Sequence, residues 1–156
     1  MHWVAVWDLL HLVDYLVTRP EVDPKRIGIT GVSLGGMHAW LAAVADPRLA
    51  AVAPIMGVQG WLWAVEHDSW QGRVDSVPQA AAGTPAPQVF RTAAQDLGKT
   101  EVDSAVVCAV WQRLTPGLLD VYDAPLSLPA LCPRPLLVVT GATDERCPMP
   151  VSGAQQ

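Results

Sequence analysis

From Trp3 to Val17 the large apolar residues stand at 3, 6, 7, 10, 13, 16 and 17, the three-and-four spacing of one helix face. The first predicted element is therefore an amphipathic helix. Asp8, His11 and Asp14 occupy its other side, and a polar row at this spacing reads as a solvated face, so no metal is assigned to it. Thr18-Arg19-Pro20 ends the helix, because the residue before a proline is driven out of the α region, and Asp23-Pro24 turns the chain into a short strand over 26–30. LGGMHAWLAAVAD (34–46) is small and apolar and stops at Asp46-Pro47, as a buried helix does, and LAAVAPI (49–55) predicts a second strand.

Between Gly57 and Ala130 the periodicity weakens. Four tryptophans (Trp61, Trp63, Trp70, Trp111) stand among proline- and alanine-rich segments such as SVPQAAAGTPAPQ (76–88). This stretch, 57–130, reads as a cap-like insertion with helices near 61–68, 88–97 and 101–114. Cys132-Pro133-Arg134-Pro135 then introduces PLLVVTGATDE, in which the continuous apolar run 136–139 predicts a strand buried on both faces. Helix, strand, helix, strand, insertion, strand is an alternating order, so the predicted class is α/β: a three-layer αβα arrangement with a parallel sheet covered on both sides. No internal repeat or clean boundary divides residues 1–156, which read as one domain.

Composition narrows the partners. At 156 residues and 51% hydrophobic content the chain predicts a globular domain with a buried core. Ten basic against fifteen acidic residues give a net charge of −5 with no basic run, which argues against nucleic acid. Cys108, Cys132 and Cys147 form no C-x-x-C pair and are odd in number, which fits free thiols better than a disulfide scaffold or a zinc site. The N-terminus carries Asp8 and Asp14 and lacks a basic leader region, so the expected setting is intracellular and cytoplasmic. The apolar stretch 49–65 is broken by Pro54, Gly57, Gln59 and Gly60, which favours buried strand plus loop over a membrane span.

Candidate chemistry begins at Gly31-Val32-Ser33-Leu34-Gly35, a G-x-S-x-G pattern between a predicted strand and a predicted helix. That setting makes it a nucleophile elbow. A sharp turn holds the serine strained, strand and helix pass closely, and Gly31 and Gly35 remove side chains that would collide. The backbone N–H of Leu34, at the helix start, is aimed to donate to an oxyanion. The competing reading is a glycine-rich turn with an ordinary serine, but the spacing matches neither G-x-G-x-x-G nor a P-loop.

VDYLVTRPEVDPKRIGITGVSLGG (13–36) resembles the α/β-hydrolase superfamily, near its prolyl-oligopeptidase-like, dienelactone-hydrolase-like and acetyl-xylan-esterase-like branches, where a helix precedes D-P-x-R-I-G-x-x-G-x-S-x-G-G. PRPLLVVTGATDERCP (133–148) is similar to the same family's later strand, and the resemblance carries the acid of the triad to Asp144. Read from its own position, Asp144 lies in a loop after an apolar strand, where open α/β sheets place their sites; Glu145 is the alternative. The 110 residues between Ser33 and Asp144 leave room for a cap, which the resemblance expects over the active site. Trp61, Trp63, Trp70 and Trp111 are candidates for an apolar pocket there, with simple packing as the competing role.

The triad order Ser, Asp, His requires a base after Asp144, and no histidine follows it. The twelve residues beyond Asp144 are fewer than the helix of roughly 11 and strand of roughly 5 residues needed to reach a histidine loop. His38 points away from the serine on the following helix, His2 and His11 belong to the first helix, and His67 would have to act from the cap. No early strand or loop supplies the second oxyanion donor. The resemblance thus implies the middle of an α/β-hydrolase, a truncated member whose strand 26–30 exposes an edge prone to self-association. The expected function is a cofactor-free serine hydrolase of small ester or peptide-like substrates; the alternative is an inactive pseudo-hydrolase acting as a binding module.

Overall fold

The computed structural model describes residues 2–76 and 88–148; segment 77–87, most of the proline- and alanine-rich stretch of the expected insertion, the tail 149–156 and the side chain of His2 lie outside the described residues. In chain order the elements are α1 (His2–Leu16), β1 (Ile27–Val32), α2 (Leu34–Ala45), β2 (Leu49–Ile55), α3 (Trp61–Glu66), α4 (Gln71–Asp75), α5 (Gln88–Asp96), α6 (Ser104–Leu114), α7 (Ala124–Ser127) and a 3₁₀ turn, Leu128–Leu131. They form two compact units: Met1–Val58 with Asp120–Gly141, and Gln59–Leu119 with Ala142–Gln156.

In the first unit β1 and β2 are parallel, in a register that aligns Thr30 with Ala53 and Val32 with Ile55. β1 runs two residues beyond the predicted strand because its ladder with β2 continues through Gly31 and Val32, and this delivers the chain directly to Ser33. α2 packs on both strands and α1 packs on α2. Trp40 of α2 is fully buried, with Met37 and Leu41 almost so, which is what a small, apolar helix lying flat on a sheet requires. On α1 the predicted face is only partly used: Val6 and Val13 are buried, but Trp7 is 61% exposed.

The run 136–139 extends the sheet on the far side of β2. Val52 N–H donates to Pro135 O (3.0 Å), Leu137 N–H to Val52 O (2.9 Å), Val139 N–H to Pro54 O (3.1 Å) and Met56 N–H to Val139 O (2.7 Å). Its partners Val52↔Leu136 and Ile55↔Val139 are parallel. The expectation that this run is buried on both faces is not met: Leu137 is 62% exposed and Val139 43%. The reason is position. The run lies at the sheet edge, and within this unit the long helices stack on one face, leaving Gly28, Thr30, Val32 and Ala51 exposed on the other. A shallow groove of 410 Å³, lined by Thr30, Ala53 and Leu137 among others, crosses the three runs.

An ionic corner closes the α2–β2 turn. Asp46, 4% exposed, accepts from Arg48 Nε (2.9 Å) and Nη2 (2.6 Å) and from Arg48 N–H (2.9 Å), and Arg48 also reaches Asp14 of α1 (2.8 Å). Arg134 Nη1 donates to the carbonyls of Asp46 and Leu49, both at 3.1 Å, tying the entry of the third run to the same turn. The hydrogen bond from Arg48 holds the Asp46 carboxyl below the usual carboxylate range. A carboxyl lowered on folding stabilises the fold above its unfolded pKa of about 3.9, and that stabilisation is lost as pH falls through the lower folded value. Asp46→Asn should therefore lower the urea midpoint at pH 7 and flatten the acid limb of midpoint against pH; an unchanged acid limb would remove this role from Asp46.

The second unit is helical. Asp103 caps α6 by accepting from Val106 N–H (2.9 Å) and contacts Lys99. α6 packs against α3 and α5, burying Val106, Val107, Val110 and Phe90.

Candidate active site

Ser33 stands between the last residue of β1 and the first of α2 with φ 56° and ψ −116°, a region that a residue with a Cβ adopts only when its surroundings impose it. The surroundings are identifiable. Ser33 N–H donates to Ile55 O (2.8 Å), and Ser33 O accepts from Met37 N–H (3.0 Å), so β2 fixes one side of the turn and the first helical bond fixes the other. Leu34 follows at the first helical position, where N–H groups have no intrahelical acceptor and the helix dipole favours negative charge.

The glycines divide differently from the sequence expectation. A Cβ on Gly31 would stand 2.4 Å from both C and O of Gly35, so the bare backbone at Gly31 is what lets strand and helix meet. A Cβ on Gly35 would meet nothing within 4 Å, so the collision assigned to Gly35 does not occur there. It falls on Gly36, whose Cβ would stand 2.6 Å from Ile55 O, and on Gly57, whose Cβ would stand 2.3 Å from Met37 N. Gly35 contributes its backbone to the contact with Gly31, whereas Gly36 points at β2. The doublet Gly35-Gly36 was the sequence signal available for this; Gly57 had none beyond its place after a strand.

Asp144 lies in the second unit, in the loop 142–148 that follows the third run. Its Oδ1 accepts from Arg146 N–H (2.9 Å), and its main-chain O accepts from Cys147 N–H (3.3 Å). The Cys147 thiol, 2% exposed, also hydrogen-bonds the Asp144 carboxylate, and burial pushes that thiol above its ordinary value. A groove of 350 Å³ is lined by Gly72, Asp75, Ser76 and the loop residues Thr143 to Arg146. Glu145, the alternative acid, is exposed and approaches α4 through its backbone: a Cβ on Gly72 would stand 2.6 Å from Glu145 O.

The tryptophans separate into two roles. Trp61 and Trp111 meet edge to face at 4.8 Å between ring centroids, and Phe90 joins Trp111 at 5.7 Å. Both tryptophans are buried, so they build the core of the second unit rather than line an open pocket. Trp63 and Trp70 are half-buried; Trp63 stacks on His67 at 4.4 Å, and the buried Trp70 Nε1 meets no acceptor among the described residues. His67 Nδ1 lies 2.9 Å from Trp63 O, and His11 pairs with Asp14 at 3.5 Å. Burial pushes the His38 imidazole below its ordinary value. Among the described residues no group of three or more His, Cys, Asp or Glu is arranged to hold a metal ion, and no helix is long and apolar enough to cross a membrane.

Comparison with known proteins places the chain in a family. Residues 4–104 match the profile of the dienelactone hydrolase family. An uncharacterized peptidase, YuxL, of Bacillus subtilis (strain 168) is 25% identical over 158 aligned positions, 91% of this chain and 17% of that protein. The 4-O-methyl-glucuronoyl methylesterase 1 of Sodiomyces alcalophilus is 32% identical over 69 residues, 43% of this chain and 14% of that protein. The thiohydrolase apmlB of Arthrinium phaeospermum is 42% identical over 48 residues, 31% of this chain and 16% of that protein. The aligned parts of this chain span no more than 28% of the curated relatives reached in this way. No solved structure matches. The family match covers α1, both paired strands, the strained turn at Ser33 and the second unit as far as the start of α6, and the chain accordingly belongs to the dienelactone hydrolase family, with part of the α/β-hydrolase fold.

Proposed function

We propose that this chain carries the nucleophile and the acid of a serine hydrolase acting on ester or peptide-like acyl bonds. The observation that supports it most is Ser33: a strained residue with φ 56°, placed where a parallel strand meets a helix N-terminus. In this reading Ser33 Oγ attacks the acyl carbon, and the developing oxyanion accepts from Leu34 N–H. A histidine takes the serine proton and returns it to the leaving group, and water then hydrolyses the acyl-serine. Asp144 orients that histidine. His11 and His67 are engaged within their own units and His38 lies on α2 beyond Ser33, so the base is taken to be none of these.

A base that is missing can be supplied in solution. The 156-residue chain should react slowly with a fluorophosphonate probe, added imidazole should accelerate the reaction several-fold, and Ser33→Ala should abolish it. Rapid labelling without imidazole would place the base in this chain. A folded chain that stays unlabelled even with imidazole would favour the second reading, a hydrolase-derived binding module. That reading has its own support in Asp144, whose carboxylate is held by Arg146 N–H and the Cys147 thiol.

A further inference from the structure

The second unit contains a polar cluster that neither the elbow nor the acid by itself explains. Arg73, on α4, carries its guanidinium over the Trp61 ring at 5.0 Å. It donates from Nη1 to Ser76 Oγ (3.4 Å), and Ser76 Oγ donates to Arg73 O (2.8 Å). Gln59, 2% exposed, sits at the first position of this unit. With its amide turned so that both ends are satisfied, Gln59 accepts from Arg73 Nε (3.1 Å) and donates to Arg146 O (2.8 Å). The chain Arg73, Gln59, Arg146 therefore ends on the loop residue whose N–H holds the Asp144 carboxylate at 2.9 Å.

Two further observations point the same way. A Cβ on Gly72 would stand 2.6 Å from Glu145 O, so α4 lies against the backbone of the acid loop with no room for a side chain between them. Burial pushes the Arg73 guanidinium below its ordinary value, and the nearby Asp144 carboxylate acts in the opposite direction. A desolvated cation next to the acid, hydrogen-bonded to a buried amide, is costly unless the arrangement is kept whole.

We propose that Gln59 and Arg73 are positioning residues that clasp the loop 142–148 to α4, so that the acid loop and the helical unit move as one body. The inference rests on the reading of Asp144 as the acid, and it adds that the helical unit holds the loop that carries this acid.

Cys147 reports on the clasp because it is buried in the same loop, while Cys108, half-buried on α6, reports on the rest of the unit. Iodoacetamide modification of the folded chain, mapped by peptide mass, is followed in the parent, Gln59→Leu, Arg73→Met and Arg73→Lys. Loss of one hydrogen bond to a charged or buried group corresponds to about a tenfold change in an opening equilibrium. Cys147 modification should accelerate by about that factor in Gln59→Leu and Arg73→Met, with Cys108 unchanged, and Arg73→Lys should recover part of the protection. Equal protection of Cys147 in the parent and in the folded variants, or parallel acceleration of both cysteines, overturns the clasp. The readout does not involve Ser33. Asp144→Asn leaving imidazole-assisted labelling of Ser33 unaltered would remove Asp144 from the triad while the clasp stood.

Discussion

Gly31→Ala and Gly57→Ala should each lower the stability of the first unit by about 3 kcal/mol or more, whereas Gly35→Ala should leave it unchanged or raise it by up to about 1 kcal/mol. The difference follows from what each new methyl would meet. At Gly31 it stands 2.4 Å from the backbone of Gly35, and at Gly57 it stands 2.3 Å from Met37 N and 2.4 Å from Gly36 C. These are main-chain atoms of a helix packed on a sheet, so relief requires α2 to move away from β1 or β2. Such a shift disturbs the contacts of Trp40, Met37 and Leu41 together. At Gly35 there is open space, and alanine favours the helix more than glycine does. Urea unfolding followed by circular dichroism measures all three, and a stability of roughly 5–15 kcal/mol for a domain makes the loss large. A Gly35 variant destabilised as strongly as the Gly31 variant would mean that the turn is packed otherwise than described.

Trp40→Ala should cost about 3–5 kcal/mol, because a fully buried indole leaves a void that α2 and the sheet cannot fill without separating. Trp40→Phe should cost less than half of that. It keeps most of the ring volume and removes an Nε1 donor that meets no acceptor among the described residues, whereas leaving such a donor unpaired carries a desolvation penalty of about 1–3 kcal/mol. The comparison decides which effect dominates at the centre of the first unit. A Phe variant as unstable as the Ala variant would show that the indole's shape outweighs its unsatisfied polar atom. Both are read from the urea midpoint at constant slope, since a change in slope would report altered compactness instead.

Much of the architecture was legible from periodicity. The apolar run 49–55 became β2 with those bounds, and 34–46 became α2 ending one residue earlier, because a strand and a buried helix each repeat a local pattern that their neighbours reinforce. Ser33 was legible too, since a strand, a glycine-flanked serine and a helix in that order leave the chain only a sharp turn. The helices of the second unit were harder. The expected helix near 101–114 begins at Ser104, where Asp103 supplies the cap, and a short α4 at Gln71–Asp75 carries no periodic signal at all. Five residues are too few to show one.

By itself the sequence determined the alternation of helix and strand, the α/β class, the likeness to a hydrolase family and the position of the strained serine, all of which depend on residues close together in the chain. Only the tertiary structure decided which glycines face backbone, that 136–139 lies exposed at an edge, that Trp61 and Trp111 fill a core, and that Gln59 and Arg73 reach the loop of Asp144. Arg73 and Arg146 belong to segments far apart in sequence. Their meeting depends on how far one element stands from another, a distance of a few ångströms that no local pattern of apolar and polar residues records.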